Sequence, residues 1–186
     1  VTAASNKLSL IALVGMPGGG KSTVGRQLSR RLEMPFVDSD AVIEARIGTS
    51  IRQYFDEHGE AAFRDIEESV IDELTQRPSG VIATGGGVVL REANRAHLKN
   101  RCSVIYLRSS PEELYRRLRH DTQRPLLQVA DPLGRLRDLH QQRHPLYEST
   151  ADYVIETGRP SVPALVNMIL MQLELAGISP PPQSSH

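Results

Sequence analysis

Apolar residues fall into short continuous runs separated by stretches of helical spacing. Leu8–Val14 (LSLIALV), Val81–Ala83 (VIA), Ser103–Leu107 (SVIYL) and Tyr153–Glu156 (YVIE) are such runs, and Pro35–Asp38 (PFVD) is a shorter one. Runs of this length read as strands of a sheet covered on both faces. Between them apolar positions recur every three or four residues: Val24, Leu28 and Leu32, then Phe63, Ile66, Val70, Ile71 and Leu74, then Leu165, Ile169 and Leu173. Each set marks the buried face of a helix, and Pro111 stands where a first helical turn tolerates proline. The alternation predicts an α/β fold, a mostly parallel five-stranded sheet with helices on both faces. Residues 120–134 (HDTQRPLLQVADPLG) break the rhythm. An irregular loop of that length is often a lid over an active site. Gly177 and the SPPPQSSH tail end the last helix, so a single domain over 1–178 and a disordered tail over 179–186 are expected.

Composition narrows the partners. The chain has 186 residues, enough for one sizeable core. Its 22 basic and 22 acidic residues cancel, which gives no bulk attraction to nucleic acid or membrane, and neither is expected as a partner. Cys102 is the single cysteine, so no internal disulfide forms and a reducing compartment fits. No apolar stretch approaches the ~20 residues of a membrane span. Lys7 followed by LSLIALV imitates a signal peptide only weakly, because a glycine loop follows at once. A cytoplasmic monomer is expected.

That glycine loop carries the first chemistry. Gly15, Gly20, Lys21 and Ser22 in GMPGGGKST fit G-x-x-x-x-G-K-[ST], between a strand and a helix. Glycines let successive backbone N–H groups turn into one anion-holding concavity, and the helix aims its positive end at the phosphates. Lys21 supplies charge for the β- and γ-phosphates, and the Ser22 hydroxyl suits Mg²⁺. Further along, Asp38 and Asp40 (VDSD) sit at the end of the second strand, where open α/β sheets bind ligands. Two carboxylates there suit a metal and a substrate hydroxyl, although either alone is more often a helix cap. Arg64 has Glu60 and Glu67 on its helical face, a pattern that as surface pairing is worth only a few tenths of a kcal/mol. Thr84–Gly87 (TGGG) follows a buried strand, and three adjacent glycines suit a ligand touching the main chain.

In order, GMPGGGKST, DSD, GEAAFRDIE, TGGG, RPLL and RHPLY resemble one family, shikimate kinase, from about Ser9 to Leu173. The resemblance implies a P-loop fold like that of nucleoside monophosphate kinases, with a substrate-binding helical region over about 38–66 and a mobile lid over about 117–132. It implies transfer of the γ-phosphoryl of ATP to the 3-hydroxyl of shikimate, in the pathway to chorismate and aromatic amino acids. Gly18, Gly19, Gly20, Lys21, Ser22 and Thr23 would then hold the ATP phosphates, and Ser22 with Asp38 would serve Mg²⁺. Asp40 would receive the substrate hydroxyls. Arg64 and Arg143 would hold the shikimate carboxylate, with Gly85, Gly86 and Gly87 lining the same pocket. Arg124, on the lid, would reach the transferring phosphate and join Lys21 and Asp40 as a catalytic residue. The adenine-side arginine is Arg117 on a gapless reading, with Arg119 close by. TGRPSVP is less basic than the family's usual loop near the C-terminus, and Pro17 and Gly19 also depart from its usual pattern. Two rivals are weighed: a gluconate or nucleotide kinase of the same fold, and a P-loop switch, against which the missing N-K-x-D motif counts.

Overall fold

The computed structural model describes residues 9–119 and 129–177. Arg124, the centre of the expected lid and the tail from residue 178 lie outside the described residues. Among the described residues, five parallel strands form one sheet in the order β2-β3-β1-β4-β5: β1 (Leu10–Val14), β2 (Phe36–Asp38), β3 (Gly80–Ala83), β4 (Ser103–Arg108) and β5 (Tyr153–Glu156). Every strand expected from the apolar runs is present, with ends moved by one or two residues, the scatter usual for element boundaries.

The helices are α1 (Lys21–Leu32), α2 (Ser39–Ile47), α3 (Ile51–His58), α4 (Glu60–Leu74), α5 (Glu92–Arg101), α6 (Pro111–Leu118), α7 (Pro132–Thr150) and α8 (Val162–Leu175). The central strands are buried on both faces because their side chains alternate between two cores. Ile11, Leu13, Ile105 and Leu107 pack with Val24 and Leu28 of α1 and Leu165 and Ile169 of α8. Leu10, Ala12, Val14, Val104 and Tyr106 face the opposite core, with residues of α2 and α4–α7. This is a three-layer α/β/α arrangement, and it explains why the strand runs lack polar alternation. Among the described residues no helix is long and apolar enough to cross a membrane.

One boundary differs from the sequence reading. The stretch 120–134 was expected to be irregular throughout, but α7 already begins at Pro132. The Asp131 side chain accepts from Gly134 N–H, and proline occupies the first helical turn. Asp, Pro and Gly are loop residues by composition, yet Asp followed by Pro is also a helix start. The same helix runs on through Pro145, a residue that interrupts the backbone ladder.

Because all strands are parallel, their C-terminal ends share one edge of the sheet. β1 pairs with β3 on one side and β4 on the other. The chain therefore leaves β1 at the point where successive connections depart in opposite directions, the usual ligand crevice of open α/β sheets.

Candidate active site at the strand ends

The loop after β1 is shaped by its glycines. Gly15 has φ 152, and a Cβ there would lie 2.7 Å from the carbonyl oxygen of Leu107. Gly20 is left-handed (φ 85) and forms the N-cap of α1, so the first N–H groups of the helix open toward the loop. Lys21 is only 8% exposed, and its Nζ donates to Gly15 O (2.7 Å) and Met16 O (2.9 Å). Ser22 Oγ donates to Asp38 Oδ2 at 2.5 Å. The other oxygen of Asp38 accepts from Asp40 N–H (2.9 Å) and Ala41 N–H (3.3 Å), capping α2. Asp38 thus caps a helix and also faces the phosphate loop. Gly20, Lys21, Ser22, Asp38 and Asp40 line a cavity of about 480 Å³, together with Gly18, Thr23, Arg117 and Leu118. Gly19 stands apart from that lining and donates its N–H to Met16 O at 3.2 Å.

A second cavity of about 460 Å³ adjoins the first. Arg64, Glu67 and Arg143 line it, with apolar walls from Ile51, Phe55 and Phe63. Pro17, Asp40, Gly85 and Gly86 belong to both cavities, so Asp40 stands at their seam. Burial, with Asp38 and Glu67 nearby, pushes the Asp40 carboxyl up to about 6. Arg64 and Glu67 are not surface partners. Their side chains are 11% and 1% exposed and meet at 2.9 Å, with Glu60 farther off at 3.6 Å. Burial raises the Glu67 carboxyl above the usual range, while Arg64 pulls it the other way.

The glycines of TGGG serve space rather than backbone conformation, since none of the three has positive φ. A Cβ on Gly85 would lie 2.7 Å from Asp40 Oδ1, and one on Gly86 would lie 2.5 Å from Pro17 Cγ. One on Gly87 would collide with the Arg64 guanidinium. The triplet therefore makes room for the side chains that define the two cavities.

The model of the shikimate kinase family matches residues 17–174. A shikimate kinase of Paracidovorax citrulli (strain AAC00-1) is 61% identical over 174 residues, covering 92% of this chain and 95% of the relative. The chain belongs to the shikimate kinase family. A solved shikimate kinase from Acinetobacter baumannii, in complex with shikimate, is 43% identical with a TM-score of 0.86, covering 95% of this chain and 98% of the other. A gluconokinase from Sinorhizobium meliloti matches at 17% identity and a TM-score of 0.56, covering 91% and 94% of the two chains, and shares the fold alone. Within the shikimate kinase fold, the described residues singled out by their motifs converge on the two cavities, apart from Gly15 and Gly19, which line neither. Of the two arginines weighed for the adenine side, Arg117 lines the phosphate-loop cavity and Arg119 does not.

Several residues at the site were not among the expected site residues. Tyr147, fully buried, donates its hydroxyl to Gly86 O at 2.5 Å and so ties α7 to the glycine triplet. Burial holds that phenol up at about 12, so it acts as a donor. Arg135 shares a cavity with Arg143, two helical turns away on α7. Glu67 was visible only as a neighbour of Arg64, because spacing reveals adjacency on a helix but not depth. Tyr147 lay inside the RHPLY motif, where its i+4 spacing from Arg143 was the only available hint.

Proposed function

We propose that this chain transfers the γ-phosphoryl of ATP to the 3-hydroxyl of shikimate at the seam of the two cavities. The placement of Asp40 carries the reading. It borders both the cavity of the phosphate loop and the cavity of Arg64 and Arg143. A hydroxyl held by Asp40 would therefore face a phosphate held by Lys21 and the N–H groups of the loop. Phosphoryl transfer asks the protein for positioning and charge neutralisation more than for covalent chemistry. Arg64 and Arg143 offer fork-shaped donors to a carboxylate, and the apolar walls suit a ring. A carboxyl poised near 6 accepts hydroxyl hydrogen bonds at neutral pH and is suited to taking the proton as the bond to phosphorus forms.

Mg²⁺ fits the pair Ser22 Oγ and Asp38 Oδ2, hard oxygens that already lie together, and such an ion usually keeps waters and phosphates as its other ligands. Bound there, it would neutralise charge on the phosphate oxygens. Arg124 is assigned to the transferring phosphate, and its replacement by alanine is expected to lower turnover more than shikimate affinity. We read residues 1–178 as one kinase domain with a tail, acting as a cytoplasmic monomer. The single cysteine, which fits a reducing compartment, supports the cytoplasmic part of that reading.

The deciding assay couples ADP release to a reporter. ADP should appear when shikimate is added and not with gluconate; turnover with gluconate, or none with shikimate, would overturn the reading.

A further inference from the structure

Away from the seam, the far wall of the phosphate-loop cavity is braced by a buried polar cluster that joins three elements. Ser109 follows β4, Glu113 and Arg117 lie on α6, and Thr157 follows β5. Thr157 Oγ1 donates to Glu113 Oε2 at 2.6 Å and meets Ser109 Oγ at 2.5 Å. A carboxylate only accepts, so the Thr157 proton goes to Glu113 and the Ser109 hydroxyl donates to Thr157. Arg117 closes the cluster: one guanidinium nitrogen donates to Thr157 O (3.2 Å) and pairs with Glu113 Oε2 (3.0 Å). The Glu113 side chain is 9% exposed and that of Arg117 is 37% exposed. The acid is thus sunk beneath an arginine whose outer part borders the cavity. Gly158 completes the packing, since a Cβ there would lie 3.1 Å from the other Glu113 oxygen.

Of the residues that line the phosphate-loop cavity, Asp40, Gly85 and Gly86 also line the second cavity, whereas Arg117 and Leu118 do not. With shikimate in the second cavity, the base and ribose of a nucleotide held by the loop would leave toward Arg117 and Leu118. We infer that Glu113 is a positioning residue for the nucleotide: with Thr157 it fixes Arg117 as a wall of the subsite that receives the base. This rests on the proposed function above. An arginine held in one arrangement before binding loses little freedom when a base stacks on it, whereas a loose one must be ordered by the ligand. The same cluster ties the segment after β5 to α6.

The test is calorimetric titration with ADP, which needs no shikimate, on Glu113→Gln, Thr157→Val, Arg117→Ala and the double variant Glu113→Gln/Arg117→Ala. Glu113→Gln keeps an acceptor for Thr157 but loses the charge pair, and should weaken ADP about three- to tenfold. KM for shikimate should stay within about twofold. Thr157→Val, which is nearly isosteric, should act in the same direction if Glu113→Gln folds poorly. Because Glu113 acts through Arg117, adding Glu113→Gln to Arg117→Ala should cause no further loss. Unchanged ADP affinity in Glu113→Gln and Thr157→Val, or an equal loss with Arg117 absent, would overturn the inference. A wild-type protein that binds ADP but does not phosphorylate shikimate would instead count against the proposed function and leave this test intact.

Discussion

Replacing Arg64 with alanine should damage the protein in two separable ways, and the magnitudes follow from burial. Arg64 meets Glu67 at 2.9 Å, and the Glu67 side chain is 1% exposed. Removing one partner of a buried pair leaves an uncompensated charge and costs about 3–5 kcal/mol. The adjoining cavity admits water where the guanidinium stood, which favours the lower end, about 3 kcal/mol. For a chain of this length, that lowers Tm by roughly 6–12 °C. The sign of the pH dependence can be worked out. Burial already raises the Glu67 carboxyl, and losing Arg64, the largest opposing influence, raises it further. An acid whose pKa is raised by folding destabilises the protein in its charged form, fully above the folded pKa and not at all below the unfolded one. The loss of Tm should therefore be greatest near pH 8 and shrink on acidification. Glu67→Gln in the same background should restore at least half of the lost Tm but not shikimate binding, since the proposed donor to the carboxylate is still missing. Scanning calorimetry at two pH values and titration with shikimate and ADP measure both effects. A Tm change below about 2 °C, or no recovery with Glu67→Gln, would refute the burial argument.

Other outcomes follow from the same geometry. Lys21→Met should fold and lose on the order of a hundredfold or more in turnover, measured by ADP release. Asp40→Asn should stabilise the protein in chelator at pH 8. A shift from 3.8 to about 6 is about two units, or at most about 3 kcal/mol, and nearer 1–2 beside an open cavity. The gain should fade as pH drops through 6, and turnover should fall, as thermal scans and kinetics would show. Gly87→Ala should displace the Arg64 guanidinium and weaken shikimate binding about tenfold or more, leaving ADP affinity nearly unchanged in titration.

How legible the site was depended on how far its information is local. The loop after β1 could be read because glycine spacing, Lys21 and Ser22 act within one turn of chain. Asp38 and Asp40 were legible as carboxylates at a strand end. Their proposed division of labour came only from the family resemblance; the residues alone leave it open, because the contact of Asp38 with Ser22, sixteen residues away, and the burial of Asp40 are not encoded in local spacing. The TGGG triplet signalled close approach, but only the fold shows that Asp40, Pro17 and Arg64 are what approaches.

By itself the sequence determined the layered α/β class and the phosphate loop, while Arg64 and Arg143 were singled out only through the family resemblance. Strand and helix periods, turn chemistry and charge type are properties of neighbouring residues. The tertiary structure decided depth and convergence. It buried Glu67 beneath Arg64 and carried Tyr147 to Gly86, 61 residues away. It also joined Glu113 to Thr157 across 44 residues and took α7 through Pro145. Each of these depends on which surfaces the parallel sheet brings together, and no local spacing encodes that.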